Sequence, residues 1–367
     1  MIEISSLNQV ESLVIGLTIL GTGGGGDPNE GLKMLRNIIE SGRSIKLIEV
    51  NELTNDALIV VPYNVGSVAP GTISKKPSKI IEPIKRAFIE MEKLLGKRIQ
   101  AVVASELGGS NTPAALYIAS EMKLPAINGD LLGRAAPELH QCTVHIFGIP
   151  MYPAVIVTKS GNVIIVKEYS DIDDYEAIAR YLSVLEGTYA AVVDTPMGIE
   201  DAKKAVIPKT ITYALKLGET VLEARRKNAN PVEAVVEYLK GWKIFEGIVK
   251  RYIWENKGGF LRGEAFVEGV GNFRGRLLRS WIMNEHIMAW IDEKPVLMPP
   301  DLLAFLKNDG TPITNTELKE GMLINAIATR APEVWRTPKG LELFGPKHFG
   351  FNYDYIPVEE LIKKNLP

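Results

Sequence analysis

The 367-residue sequence has a single cysteine, Cys142, so no internal disulfide can form and a cysteine-rich metal site is excluded. Histidine is also scarce, at four per chain, which argues against an all-histidine metal centre. Basic charge is not in excess: 42 Lys and Arg stand against 44 Asp and Glu, a formal net charge of −2. A nucleic-acid partner is therefore not expected, because its usual footprint is a strongly basic domain or stripe. Long apolar runs are missing too. The longest uncharged stretch, from Ala57 to Ser74, contains Pro62, Asn64, Gly66, Pro70 and Gly71 and reads as a buried strand plus loop, not a membrane helix. The N-terminus shows no basic region ahead of an apolar stretch, so no signal peptide is expected and the cytoplasm is the expected location. Glutamine occurs only at positions 9, 100 and 141, and with many Lys, Glu and Ile this suits a thermophile.

What is present is ordinary globular composition, 46% hydrophobic and 23% charged, at a length that suggests two domains. Through the first 165 residues, apolar runs at 13–20, 58–62, 101–104, 126–127, 144–149 and 155–157 alternate with amphipathic segments at 30–41, 83–95 and 113–122. That alternation predicts an α/β domain with a mainly parallel or mixed sheet. Gly161-Asn162 between two Val/Ile-rich runs predicts a hairpin. We place the boundary after 168, making 1–168 the α/β domain that carries the glycine-rich loop and the candidate site. Residues 173–187, 209–227 and 231–239 read as helices, the last with Asn230 as cap and Pro231 in the first turn. From Phe245 onward, short β-like runs with Gly, Asn and Pro turns predict a β-rich α+β domain over 169–367, with an irregular tail at 330–355.

Three segments could carry chemistry. In Leu20-Gly21-Thr22-Gly23-Gly24-Gly25-Gly26-Asp27-Pro28 an expected apolar strand runs into four glycines, then Asp27 as helix cap and Pro28 at the first helical position. Backbone N–H groups of Gly23, Gly24, Gly25 and Gly26 could cradle an anion at the helix start. The same string satisfies the dinucleotide fingerprint literally, with Glu49 ending a second apolar run, although the Asp-Pro cap starts the helix after the last glycine. A structural tight turn is the third reading. The segment from Ala104 to Pro113 places Glu106, Gly108, Gly109 and Asn111 at a strand-to-helix turn, where ligands of α/β sheets sit. Its plain alternative is a turn hydrogen bond. In Asn128–Glu138, Asp130, Arg134 and Glu138 recur every four residues, so a helical stretch would align them, as a functional set or a solvated ion-pair ladder. The three loops are expected to converge on one cleft. His140, Cys142 and His145 lack the spacing of a zinc ligand set, and Asn284-Glu285-His286 is either a cleft contribution or a polar turn.

Together these segments resemble the S-methyl thiohydantoin desulfurase family, a former domain-of-unknown-function family often encoded near hydantoinase/oxoprolinase-type proteins. The resemblance rests on the glycine loop, the Glu106–Asn111 turn and the Asp130–Glu138 stretch. In the C-terminal half it rests on residues 258–263, Met283-Asn284-Glu285, Pro300-Asp301-Leu302-Leu303, Trp335-Arg336-Thr337-Pro338 and Gly345-Pro346-Lys347-His348-Phe349-Gly350. It is colinear over nearly the whole chain. The family pattern has Asn-Glu-Asn where this chain has Asn284-Glu285-His286, and usually lacks counterparts of His140 and Cys142.

The resemblance implies a hydrolase or desulfurase acting on a small cyclic imide of the hydantoin or thiohydantoin type. Such chemistry needs water activated against a ring carbon and donors for the developing anion. Glu106 or Asp130 is assigned to activate the water, directly or through a divalent metal, zinc or manganese, with Glu106, Asp130, Glu285 and His286 as candidate ligands. Arg134 and the glycine-loop amides would hold the anionic part of the substrate, together with Gly108, Gly109 and Asn111, and Glu138 would orient Arg134. The alternatives are a non-catalytic accessory subunit for a hydantoinase-type partner, which would tolerate Glu106→Gln, and a dinucleotide-dependent oxidoreductase, for which Glu49 is the test residue. Aromatic residues such as Trp281, Trp290 and Trp335 would serve either a homo-oligomer interface or the core.

Overall fold

The computed structural model describes residues 1–69, 77–187 and 189–366. The end of the uncharged stretch, 70–74, lies outside the described residues. In chain order the elements are β1 (Ile2–Ile4), α1 (Leu7–Leu20), α2 (Pro28–Glu40), β2 (Ile45–Ile48), β3 (Ile59–Gly66), α3 (Pro83–Leu95), β4 (Ala101–Ala104), α4 (Asn111–Glu121), β5 (Ala126–Asp130), α5 (Thr143–Ile146), β6 (Ala154–Val157), β7 (Val163–Val166), α6 (Ile172–Glu186), β8 (Tyr189–Met197), α7 (Ile199–Ala205), β9 (Ile207–Pro208), α8 (Thr210–Arg226) and α9 (Pro231–Leu239). There follow β10 (Trp242–Lys257), β11 (Phe260–Gly269), β12 (Leu277–Met283), β13 (Glu285–Ile291), β14 (Lys294–Leu297), β15 (Leu302–Leu306), β16 (Pro312–Ile313), β17 (Leu323–Thr329), α10 (Pro338–Phe344) and α11 (Val358–Asn365).

The architecture is an N-terminal α/β domain on a mixed sheet and a C-terminal β-rich domain with helices. The first sheet runs β1-β2-β5-β4-β3-β8-β6-β7, with β9 on β5. Its centre, β2-β5-β4-β3, is parallel, and β8, β6 and β7 extend it antiparallel. The expected hairpin is β6–β7, paired from Ala154↔Val166 to Val157↔Val163. The second sheet, β14-β13-β12-β11-β10-β17-β15-β16, is antiparallel throughout. No described helix is long and apolar enough to cross a membrane.

Two apolar runs expected as strands are helical. Residues 13–20 are the second half of α1, which begins at a reciprocal cap: the Ser6 hydroxyl accepts from the Gln9 N–H, and the Gln9 side chain accepts from the Ser6 N–H. The helix is buried nearly all round, so its apolar residues form an unbroken run and lose the one-sided periodicity that marks a surface helix. Residues 144–149 include the single turn α5. Helix α1 lies backbone-to-backbone on α8. A Cβ at Gly16 would stand 1.8 Å from the Ala214 carbonyl oxygen, and one at Gly218 would stand 1.7 Å from that of Ser12. One apolar cluster continues from α1, α2 and α4 through α8 and α9 to Phe260, Ile287 and Leu302 of the second domain.

Candidate active site

A cavity of about 330 Å³ opens beyond the carboxyl ends of the parallel strands, where the second domain covers them. Glu106, Asn111, Glu138 and Tyr63 line it from the first domain and Arg180 and Glu285 from beyond residue 169.

The glycines bring the carboxylates together. The loop after α1 takes positive φ at Thr22, Gly23, Gly25 and Gly26, and leads into α2, whose cap is Asp27 with Pro28 at the first position. A Cβ on Gly24 would lie 1.8 Å from Glu285 Oε1, and one on Gly25 would lie 2.5 Å from Gly108 Cα. The loop is thus glycine because Glu285 on one side and the second glycine turn on the other press against its backbone. Two of its four glycine amides are committed, which narrows the expected anion cradle. Gly24 N–H donates to Gly21 O and Gly25 N–H to Glu285 Oε1 at 3.3 Å. Of the four glycines, Gly25 and Gly26 reach the cavity. Gly108 and Gly109 pack against Gly25 and Pro28 and do not line it. Because α1 is a helix, the strand that a dinucleotide fingerprint requires ahead of its glycines is absent, and Glu49 accepts from Asn128 Nδ2 instead of facing the cavity.

Glu106, just past β4, is partly buried in the cavity wall. Oε1 accepts from Asn111 Nδ2 at 2.7 Å and Oε2 from Ala136 N–H at 3.1 Å. Burial raises its pKa, against those two hydrogen bonds. Asn111 is itself locked by a reciprocal pair with the Asn64 backbone. Glu285, at the start of β13, sits opposite with its carboxyl pushed well above the usual range, first by burial and then by the negative charge of Glu106. Its Oε2 is buried without a partner. Two carboxyls of different domains therefore meet in one cavity with unequal proton affinity.

Of the remaining expected residues, Asp130 and Arg134 lie outside the cavity, and Glu138 lines it without meeting Arg134. Asp130 ends β5 and is buried outside the cavity, its Oδ2 accepting from Leu132 N–H at 2.9 Å and Gly133 N–H at 2.6 Å, so it shapes a turn. Residues 131–142 form that irregular turn and not a helix, so Asp130, Arg134 and Glu138 do not share a face. Arg134 is fully buried with all five donors used. Nε bonds Ala135 O, Nη1 bonds Pro300 O and Asp301 O, and Nη2 bonds Thr22 Oγ1 and His286 O. It clamps the two domains and has no donor left for a substrate anion. Glu138 does not touch Arg134 in this bonding pattern; it accepts from Gln141 Nε2 at 2.9 Å and pairs with His348 Nε2 at 2.8 Å.

The proposed metal set Glu106, Asp130, Glu285 and His286 is likewise not assembled. The His286 ring bonds Ser280 through Nδ1, lies 4.2 Å from Phe305 and is pushed down to about 3 by burial, outside the cavity. Among the described residues the three that gather ligand atoms are Glu138, His140 and His348. Cys142 lies on the cavity wall, but burial pushes its thiol up, and His145 turns to the Met151 sulfur at 3.2 Å.

The sequence reading missed Arg180, Tyr63 and His348. Arg180 ties Gly66 O and Gly259 O across the cavity wall and stacks 4.1 Å over Phe260. Tyr63 and Tyr175 both donate to Asp194 Oδ2, at 2.6 and 2.8 Å. These depend on contacts far apart in the chain. His348 stood in the Gly345–Gly350 motif, and that motif was its only signal.

The arrangement defines a two-domain protein with a dicarboxylate cavity at the head of a mixed α/β sheet. The chain belongs to the S-methyl thiohydantoin desulfurase (S-Me-THD)-like family: the family's N-terminal domain matches residues 8–168 and its C-terminal domain residues 170–358. A crystal structure of a protein from Chromobacterium violaceum shares the fold, with a TM-score of 0.80 and 21% identity over 98% of this chain and 100% of that one. No curated relative matches the sequence.

Proposed function

We propose that the protein is a hydrolase that removes sulfur from a small five-membered cyclic imide of the thiohydantoin type, with Glu106 as base and Glu285 as acid. The substrate class rests on family membership. The roles rest on one observation, that a partly buried and a buried carboxyl with environments of different strength face the same cavity. Glu106 carries two hydrogen bonds that favour its ionised form, whereas Glu285 carries one long one and an unpartnered oxygen. Pairs held apart in this way divide acid and base work.

In the reaction Glu106 takes a proton from water as its oxygen bonds the ring carbon. Glu285 protonates sulfur as the carbon–sulfur bond breaks, and recovers a proton when the adduct's hydroxyl becomes the carbonyl. Glu106 returns its proton to the ring nitrogen that was part of the carbon–nitrogen double bond. Water has then supplied one proton to sulfur and one to nitrogen, and both carboxyls are restored. The test is thiol release from an S-methyl thiohydantoin by wild-type, Glu106→Gln and Glu285→Gln proteins of matched circular dichroism. Each variant should lose about 10²–10⁴-fold in kcat, the usual share of general acid–base catalysis. A Glu106→Gln protein as fast as wild type would refute the assignment.

A further inference from the structure

We propose that Glu138, His140 and His348 bind a divalent cation, zinc by donor chemistry, which pins the C-terminal tail to the cavity wall. Glu138 and His140 come from the turn after β5, and His348 from the segment between α10 and α11, 208 residues from His140. Glu138 Oε2 lies 2.8 Å from His348 Nε2 and 3.6 Å from His140 Nε2, and the two Nε2 atoms are 3.0 Å apart. Donors about 2.0–2.1 Å from a tetrahedral ion stand about 3.3 Å from each other, so the three separations bracket what zinc requires.

A purely hydrogen-bonded reading fits less well. His348 Nε2 is within reach of both the carboxylate and His140 Nε2, and a ring nitrogen that donates its proton has no lone pair left to accept one. Three lone pairs converging on one point are better satisfied by a cation. The His140 Nδ1 is buried without a hydrogen-bond partner; the nearest carboxylate oxygen, Asp173 Oδ1 at 3.8 Å, is on an exposed side chain and beyond hydrogen-bond distance. Two imidazoles and one carboxylate form the donor set of open zinc sites, and no fourth His, Cys or carboxylate joins them among the described residues. Glu138 also borders the cavity, so the ion would adjoin it. The inference stands on donor geometry and does not depend on the proposed reaction.

The full-length protein, stripped by chelator and dialysed, is titrated with zinc against a chromophoric chelator and with cobalt(II) followed by its visible bands. One equivalent should bind with four-coordinate cobalt bands. His348→Ala, on an irregular and partly exposed segment, should weaken binding more than about 100-fold, beyond the loss of an outer-shell partner. His140→Ala should do the same, whereas Glu106→Gln should bind as wild type even if it has no activity. Wild-type protein that takes up no stoichiometric zinc, or histidine variants that bind it unchanged, would overturn the site. A failed thiohydantoin assay would leave it standing.

Discussion

Asp130 and Arg134 are both buried charges held by the backbone around them. Both are charged residues at a strand end, which is where a ligand would be met. What removes them from the cavity is backbone: the amides of Leu132 and Gly133 for Asp130, and the carbonyls of residues 135, 286, 300 and 301 for Arg134. Backbone acceptors carry no sequence signature, so the guanidinium could not be told from a substrate clamp. Glu106 and Asn111, by contrast, bond each other across one turn and were legible as a local pair. The burial of Asp130 has a measurable result. Its pKa is raised from 3.8 to about 7, chiefly by desolvation. Between those values the folded chain holds a proton that the unfolded chain has lost, so stability falls as pH rises through that window. Asp130→Asn removes this contribution. From pH 5 to 7.5 wild type should lose on the order of 2 kcal/mol more than the variant, read from urea midpoints at each pH. Parallel pH profiles would show that Asp130 is ionised throughout.

Among the elements, those with their own punctuation were legible. Pro231–Leu239 and Pro83–Leu95 carry proline at the first turn, and Asn230 caps the former as expected. Helix α1 was not, because its cap lies seven residues before the apolar run and its partner, α8, arrives about 200 residues later. Close approach of α1 and α8 depends on Gly16 and Gly218, each facing a carbonyl oxygen of the other helix. Helical backbone cannot yield as a flexible side chain would. Gly16→Ala and Gly218→Ala, although favourable by helix propensity, should each destabilise by about 1–3 kcal/mol, seen as a lower denaturant midpoint. A neutral or stabilising Gly16→Ala would mean that the helices stand further apart.

At the scale of the whole molecule, the change of grammar near Phe245 located the second sheet, but the first sheet recruits chain from both sides of residue 168. Strand β8 inserts between β3 and β6, pairing Tyr63↔Val192 and Ile156↔Val192, and α8 covers α1. A fragment of residues 1–168 would therefore expose two facing strand edges in the middle of its sheet and an apolar helix face. Arg134 would in addition lose its acceptors at residues 286, 300 and 301, three of its five hydrogen bonds, and the Phe344 ring that covers it. Expressed alone, 1–168 should aggregate or lack a cooperative transition in urea. Co-expressed with 169–367, it should return as a soluble complex, because β8 and α8 are then supplied in trans. A fragment of 1–168 that unfolds cooperatively as a monomer would show instead that the family's N-terminal domain is an autonomous folding unit, and that β8 joins a sheet already formed.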